Sequence, residues 1–182
     1  MLDFERYQPP PIQSARLCLE PLIAAHADVL HAPLSDAALY AFLPGDPPKS
    51  VEALRERYER LERRRSLDGS ELWLNWAVRK TGGDYVGLVE ATVRADASAH
   101  VAYFVFSPFQ RQGFAAETVE AVLINLQRDL GLRQARALLD TRNDASWRLL
   151  ERLGFRRERL IKAVDYFKGA PSDEYEYVCE LA

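Results

Sequence analysis

The sequence predicts an α+β fold in which about seven strands form one mixed sheet and about four helices cover it. Three observations carry this. Several short runs alternate apolar and polar residues with period 2, and longer stretches repeat apolar residues three and four apart. The two kinds of segment then follow one another as β-α-α-β-β-β-α-β-α-β-β, an order that a uniform βαβ repeat does not produce. At 182 residues the chain is expected to be a single domain, residues 1–182, with residues 1–14 an extended lead-in marked by Pro9-Pro10-Pro11.

Arg16-Leu17-Cys18-Leu19-Glu20 alternates and opens the sheet. Ala24 to His31 suits a short helix, with His26 and His31 as solvated residues on it. Leu34 to Lys49 cannot be one helix, because Pro44-Gly45 and Pro47-Pro48 interrupt it. With Tyr40, Phe42 and Leu43, this stretch reads as a substrate wall or as a packed loop. Ser50 caps the next helix, which buries Val51, Leu54, Tyr58 and Leu61 as one stripe. Arg63-Arg64-Arg65 then reads as its solvated end.

Leu72 to Arg79 and Tyr85 to Arg94 pair as a hairpin across Lys80-Thr81-Gly82-Gly83-Asp84, whose glycines permit positive φ. His100 to Phe106 is a further strand. The helix after it buries Val119, Val122, Leu123, Leu126 and Leu130 and stops at Gly131. Arg136 to Asp140 is a short strand. Asn143 begins a helix that turns Leu149, Leu150 and Leu153 inward and ends at Gly154, with Phe155 packed back on Leu150 in a Schellman motif. Leu160 to Val164 and Glu174 to Leu181 are the last strands.

Composition excludes several classes of function. Hydrophobic residues make up 48% and charged ones 28%, values of a globular chain, and no apolar run approaches the roughly 18 residues of a bilayer span. Met1-Leu2-Asp3-Phe4-Glu5 lacks the basic-then-apolar build of a signal peptide, so a soluble cytoplasmic protein is expected, with no membrane partner. Net charge is −3 and arginines alternate with glutamates, which argues against nonspecific nucleic-acid binding. Cys18 and Cys179 sit in alternating runs without metal-ligand spacing; they read as buried strand residues, and no metal is expected.

The chemistry concentrates at Gln110-Arg111-Gln112-Gly113-Phe114-Ala115, between a strand and a helix. Such a junction aims backbone N–H groups and the positive end of a helix dipole at one point, which suits a phosphate. Neither GxGxxG nor GxxxxGK[ST] is present, so a dinucleotide or ATP is not indicated.

Gln110-x-x-Gly113-x-Ala115, Asn143-x-x-Ser146 and Leu149-x-x-x-Leu153-Gly154-Phe155 together resemble the GNAT N-acetyltransferase superfamily. Gly113-Phe114-Ala115-Ala116-Glu117 and the Asp140 to Ser146 segment are similar to the subgroup of ribosomal-protein N-terminal alanine acetyltransferases. Two departures stand out: the run from Pro108 to Gly113 is one residue shorter than in many members, and Leu150 occupies the position where other branches hold a tyrosine general acid.

The resemblance implies the acyl-CoA N-acyltransferase fold, with a mostly antiparallel sheet, and acetyl-CoA as cosubstrate. It assigns the pyrophosphate to the N–H groups of Arg111, Gln112, Gly113, Phe114 and Ala115, and pantetheine pairing to the backbone of Phe104, Val105 and Phe106. Ser146 becomes the donor to the departing sulfur, and Asn143 orients pantetheine or a water, although helix capping alone also accounts for Asn143.

The strand from His100 to Phe106 carries no carboxylate, so Glu90 on the preceding strand is the first candidate base, followed by His100 and Glu71. If Glu90 shares a face with Leu88, apolar neighbours would raise its pKa. The implied reaction is direct acetyl transfer in a ternary complex. A protein N-terminus is the first choice of acceptor, and a small amine such as an aminoglycoside or polyamine the alternative. Asp46 and Asp173-Glu174 are candidate attractors of a cationic acceptor or plain loop carboxylates. A non-catalytic acyl-CoA-binding module is the rival reading, and monomer and homodimer both remain open.

Overall fold

The computed structural model describes residues 7–181, so Met1 to Glu5 lie outside the described residues. Among these residues eight strands form one sheet, in the order β1-β2-β3-β4-β5-β6-β8-β7. They are β1 Ile12–Gln13, β2 Leu17–Pro21, β3 Glu71–Lys80, β4 Tyr85–Arg94, β5 Ser98–Val105, β6 Gln134–Asp140, β7 Arg156–Phe167 and β8 Ala170–Glu180. Four α-helices accompany them: α1 Ala27–Leu34, α2 Val51–Leu61, α3 Phe114–Leu130 and α4 Asp144–Arg152. The strand beyond the expected seven is the two-residue β1, too short to show as a periodic run. No helix among the described residues is long and apolar enough to cross a membrane.

All neighbouring strands pair antiparallel except β5 and β6. That parallel pair holds only at Ser98↔Gln134, Ala99↔Ala135 and His100↔Arg136. Beyond His100 the two strands part, and β6 continues on β8 as far as Asp140↔Glu174. The sheet is therefore split along β5 from Val101 onward, and the phosphate-cradle candidate lies just past the open end.

Period 2 gives the sheet two working faces. On one, Leu72, Leu74, Trp76 and Val78 of β3 and Val89, Ala91 and Val93 of β4 pack against Val119, Val122 and Leu126 of α3. On the other, Ala77, with Leu88 and Phe106 beside it, meets Leu30 and Leu34 of α1 and Leu54 and Tyr58 of α2. Ser50 caps α2 by accepting from the Ala53 N–H at 3.1 Å, and Gly131 at φ 62° ends α3. At the end of α4 the Phe155 N–H donates to the Leu150 carbonyl at 3.0 Å, and the Gly154 N–H to Glu151 at 3.1 Å, the Schellman pattern.

Three readings of burial need correction. His26 is buried: its Nδ1 accepts from the Ile23 N–H at 3.0 Å, and its Nε2 lies 3.4 Å from Glu20. Arg64 is also buried, donating to the Leu22 carbonyl at 2.8 Å, so the arginine run is not a purely solvated end. Cys18 and Cys179 are strand residues with free thiols, but only partly buried.

Candidate functional site

The cradle is shaped by its backbone. Arg111 (φ 62°) and Gly113 (φ 83°) both adopt left-handed conformations, which curl the chain just before α3. Phe114, Ala115 and Ala116 open the helix, where N–H groups have no intrahelical acceptor, and no side chain caps Gly113. Among the described residues, none of the N–H groups from Arg111 to Ala116 has a partner outside the helix. Two glutamines hold the curl: Gln110 donates to the Val105 carbonyl at 3.0 Å, and Gln112 to Pro108 at 3.0 Å.

A clamp that the sequence did not reveal holds the loop from behind. Glu117 accepts from the Ser14 hydroxyl, the Arg16 N–H and the Arg16 Nε, each at 2.7 Å. Arg16 also donates to the Gln112 carbonyl at 3.1 Å and lies over the Phe114 ring at 4.5 Å. A Cβ at Gly113 would stand 3.4 Å from the Arg16 guanidinium, so bulk there presses on the clamp as well as on the cradle. Residues about a hundred positions apart leave no local signal of this contact.

From the cradle a groove of about 1060 Å³ runs along the split edge of β5, bordered by Tyr103, Val105, Asn143, Ser146 and Leu149. The backbone polarity there differs from the expectation. The Phe106 N–H donates to the Val86 carbonyl at 2.9 Å, and a Cβ on Gly87 would meet the Phe104 carbonyl oxygen at 2.0 Å. Phe104 and Phe106 thus turn their backbone groups towards β4, and strand alternation leaves Tyr103 and Val105 facing the gap. Of the three residues expected to pair there, Val105 alone presents its backbone, and its carbonyl is held by Gln110.

Asn143 and Ser146 sit together at the mouth of α4. The Asn143 side chain accepts from the Ser146 N–H at 3.2 Å, so Asn143 is the N-cap. Tyr103 projects from β5 towards them, its hydroxyl buried without a hydrogen-bond partner among the described residues. Burial pushes that phenol up in pKa, and the Ser146 hydroxyl is near enough to oppose the shift without meeting hydrogen-bond geometry.

On the other face of the sheet lies a pocket of about 210 Å³. Asn75, Glu90 and Ala102 stand side by side across β3, β4 and β5 and form its floor. Leu54, Arg57 and Tyr58 of α2 and Tyr40 supply walls. Recess among these groups raises the Glu90 pKa above the ordinary carboxylate value, with Arg57 partly opposing, while its side chain stays within reach of solvent.

The other base candidates are placed less well. Glu71 is committed to the Trp73 indole and Arg94, each at 3.1 Å, and His100, opposite Thr92, has its pKa lowered by burial and then by Arg94. Asp46 lines the pocket but pairs with Lys168 at 2.7 Å; Asp173 bonds the Ala163 N–H, and burial raises the Glu174 pKa.

Groove and pocket meet at Phe104, which borders both. The proline-broken segment divides them: its 3₁₀ turn Ala37–Tyr40 sends Leu39 to the groove and Tyr40 to the pocket, where Tyr40 packs on Phe104 with ring centroids 6.0 Å apart. A split sheet with a candidate anion cradle at its open end and a carboxylate pocket behind it is a geometry that suits an acyl-transfer protein.

Sequence and structure comparisons give the same class. The sequence model of a family described as acetyltransferase (GNAT) domain matches residues 16–156, and the chain belongs to that family. It is 23% identical over 171 residues to the uncharacterized N-acetyltransferase YoaA of Bacillus subtilis (strain 168), covering 92% of this chain and 95% of that protein. Among solved structures it resembles RimL, a ribosomal alpha-N-protein acetyltransferase in complex with coenzyme A, at TM-score 0.85 and 20% identity over 94% and 98% of the two chains. Spermidine N-acetyltransferase from Vibrio cholerae, in complex with CoA and spermine, matches at TM-score 0.80 and 19% identity over 92% and 97%. At these identities the two structures establish the fold.

Proposed function

We propose that this protein transfers the acetyl group of acetyl-CoA directly to a primary amine, with an α-amine preferred. The observation that carries it is the shared wall at Phe104, which sets the end of an anion-binding groove against a pocket floored by a carboxylate. The residues fit the cosubstrate. Arg111 to Ala116 offer a curl of available N–H groups for a pyrophosphate, each charge-assisted bond being worth about 1.5–3 kcal/mol net, and the exposed edge at Tyr103 and Val105 suits a strand-like pantetheine arm.

Acetyl-CoA supplies a thioester as acyl donor. Glu90 takes the proton that the ammonium must lose, directly or through a water, and its raised pKa suits a base. Ser146, with the buried Tyr103 hydroxyl beside it, supplies a proton at the sulfur position, and Asn143 fixes the helix start that aims Ser146. Freeing an amine of pKa about 10.4 costs about 4.6 kcal/mol at pH 7, whereas an α-amine of pKa about 8 costs about 1.4 kcal/mol. One recessed carboxylate meets the smaller demand more readily. Neither Cys18 nor Cys179 borders groove or pocket, and burial pushes the Cys179 thiol up, so no acyl-enzyme is invoked.

The test is release of free CoA thiol from acetyl-CoA across a panel of α-amino compounds, polyamines and aminoglycosides. Amine-stimulated release is the expected result. Tight acetyl-CoA binding without stimulation by any amine would overturn the proposal.

A further inference from the structure

The acceptor pocket carries a carboxylate and two arginines that the fold leaves unpaired. Among the described residues, none of Glu90, Arg57 and Arg60 has an ion-pair or side-chain hydrogen-bond partner, although all three border the same pocket. The fourth charge on the lining is paired: Asp46 holds Lys168. Arg57 projects from α2 over the cavity and bears electrostatically on Glu90, Tyr40 and Tyr58, three groups on three different elements. Beside Glu90, the Asn75 side-chain amide has no hydrogen-bond partner among the described residues.

Much of the remaining wall is apolar and includes Leu22, Leu34, Leu54, Leu61 and Phe104. At about 210 Å³ the cavity lies below the roughly 300–1,000 Å³ range of pockets for drug-sized ligands. It suits one small molecule carrying a cation, an anion and an apolar side chain.

We infer that the acceptor is a free apolar α-amino acid, its ammonium at Glu90, its carboxylate at Arg57 and its side chain against the leucine walls. Arg57 recognises the carboxylate as a planar fork, which a peptide carbonyl or an amide satisfies only in part. The transfer balances: one ammonium proton leaves through Glu90, the freed nitrogen lone pair forms the C–N bond as the C–S bond breaks, Ser146 delivers a proton to the departing sulfur to give the thiol, and the second proton shed by the nitrogen as the amide forms restores the Ser146 hydroxyl. The product is an N-acetyl amino acid. This inference rests on the acetyl-transfer reading above but not on its lower cost of freeing an α-amine, because the adjacent carboxylate keeps a free amino acid's ammonium more basic than a peptide N-terminus; its test separates the two.

The test compares L-leucine with L-leucinamide in the wild-type protein and in Arg57→Gln and Arg57→Lys. Arg57 is exposed on α2, so these variants are not expected to disturb folding. The expected wild-type kcat/KM ratio of leucine to leucinamide exceeds tenfold, collapses towards unity in Arg57→Gln and recovers in part in Arg57→Lys. A ratio at or below unity in the wild type, or one that Arg57→Gln leaves unchanged, overturns the inference.

Calorimetry of leucine with the CoA-loaded protein provides the second readout. Arg57-dependent leucine binding without transfer would keep the inference and sink the acetyl-transfer reading. Transfer to polyamines or peptide N-termini with no leucine binding would do the reverse.

Discussion

The two halves of the site are built from different materials. The groove face presents backbone: two left-handed residues, the first N–H groups of α3 and one edge of β5. The pocket face presents side chains drawn from α2, β3, β4 and β5. Backbone recognition tolerates most side-chain changes and fails where a glycine is lost. Side-chain recognition can be redirected by one substitution, and the substitutions below exploit that contrast.

The largest structural effect is expected at Gly87, which pairs with Val105 near the open end of the split. A Cβ there would stand 2.0 Å from the Phe104 carbonyl oxygen, and backbone cannot yield as a flexible side chain can. Gly87→Val should lower stability by about 1–3 kcal/mol or more, read as a shift in the urea midpoint. A midpoint within error of wild type would show that β4 and β5 are not so closely held.

The pH dependence of kcat/KM comes next. A base must be deprotonated to act, and burial raises the Glu90 pKa, so activity should fall as pH drops through a value above the ordinary carboxylate range. Glu90→Gln should remove that acid limb and lower kcat/KM by about 10²–10⁴. An unchanged limb would assign it to another group.

Smaller losses are expected at α4. Ser146→Ala should reduce kcat while leaving acetyl-CoA affinity within about twofold, because general-acid help acts mainly in the transition state. Equal losses in kcat and affinity would make Ser146 a binding residue. Asn143→Ala removes the cap on the Ser146 N–H and should cost about 1 kcal/mol of stability, with kcat falling as the helix mouth loosens. A melting temperature unchanged by this substitution would contradict the capping role.

The same contrast explains how much of the site was legible. The cradle candidate occupies six consecutive residues, and its curl before α3 is a feature of their local backbone, so its place in the fold could be read from sequence. The element order was readable for a similar reason, since period and punctuation are local. Glu90 was reachable through its parity with Leu88, but no local pattern singled out Arg57. Only tertiary placement puts Arg57 over the pocket.

The misreadings share this cause. His26 is buried because Glu20 and Tyr85 come to it, the latter with ring centroids 5.7 Å away. The expected backbone donors at Phe104 and Phe106 failed because strand polarity depends on register with Val86 and Gly87, which the single strand does not encode.

The most direct test sets Gly113→Glu beside Glu90→Gln and measures, for each, acetyl-CoA affinity by calorimetry and amine-stimulated thiol release. Bulk and negative charge in the cradle should abolish acetyl-CoA binding in the first. The second should bind acetyl-CoA as wild type does and lose turnover. Undiminished acetyl-CoA affinity in Gly113→Glu, or equal loss of affinity in both variants, would contradict a donor site and an acceptor site on opposite faces of one split sheet.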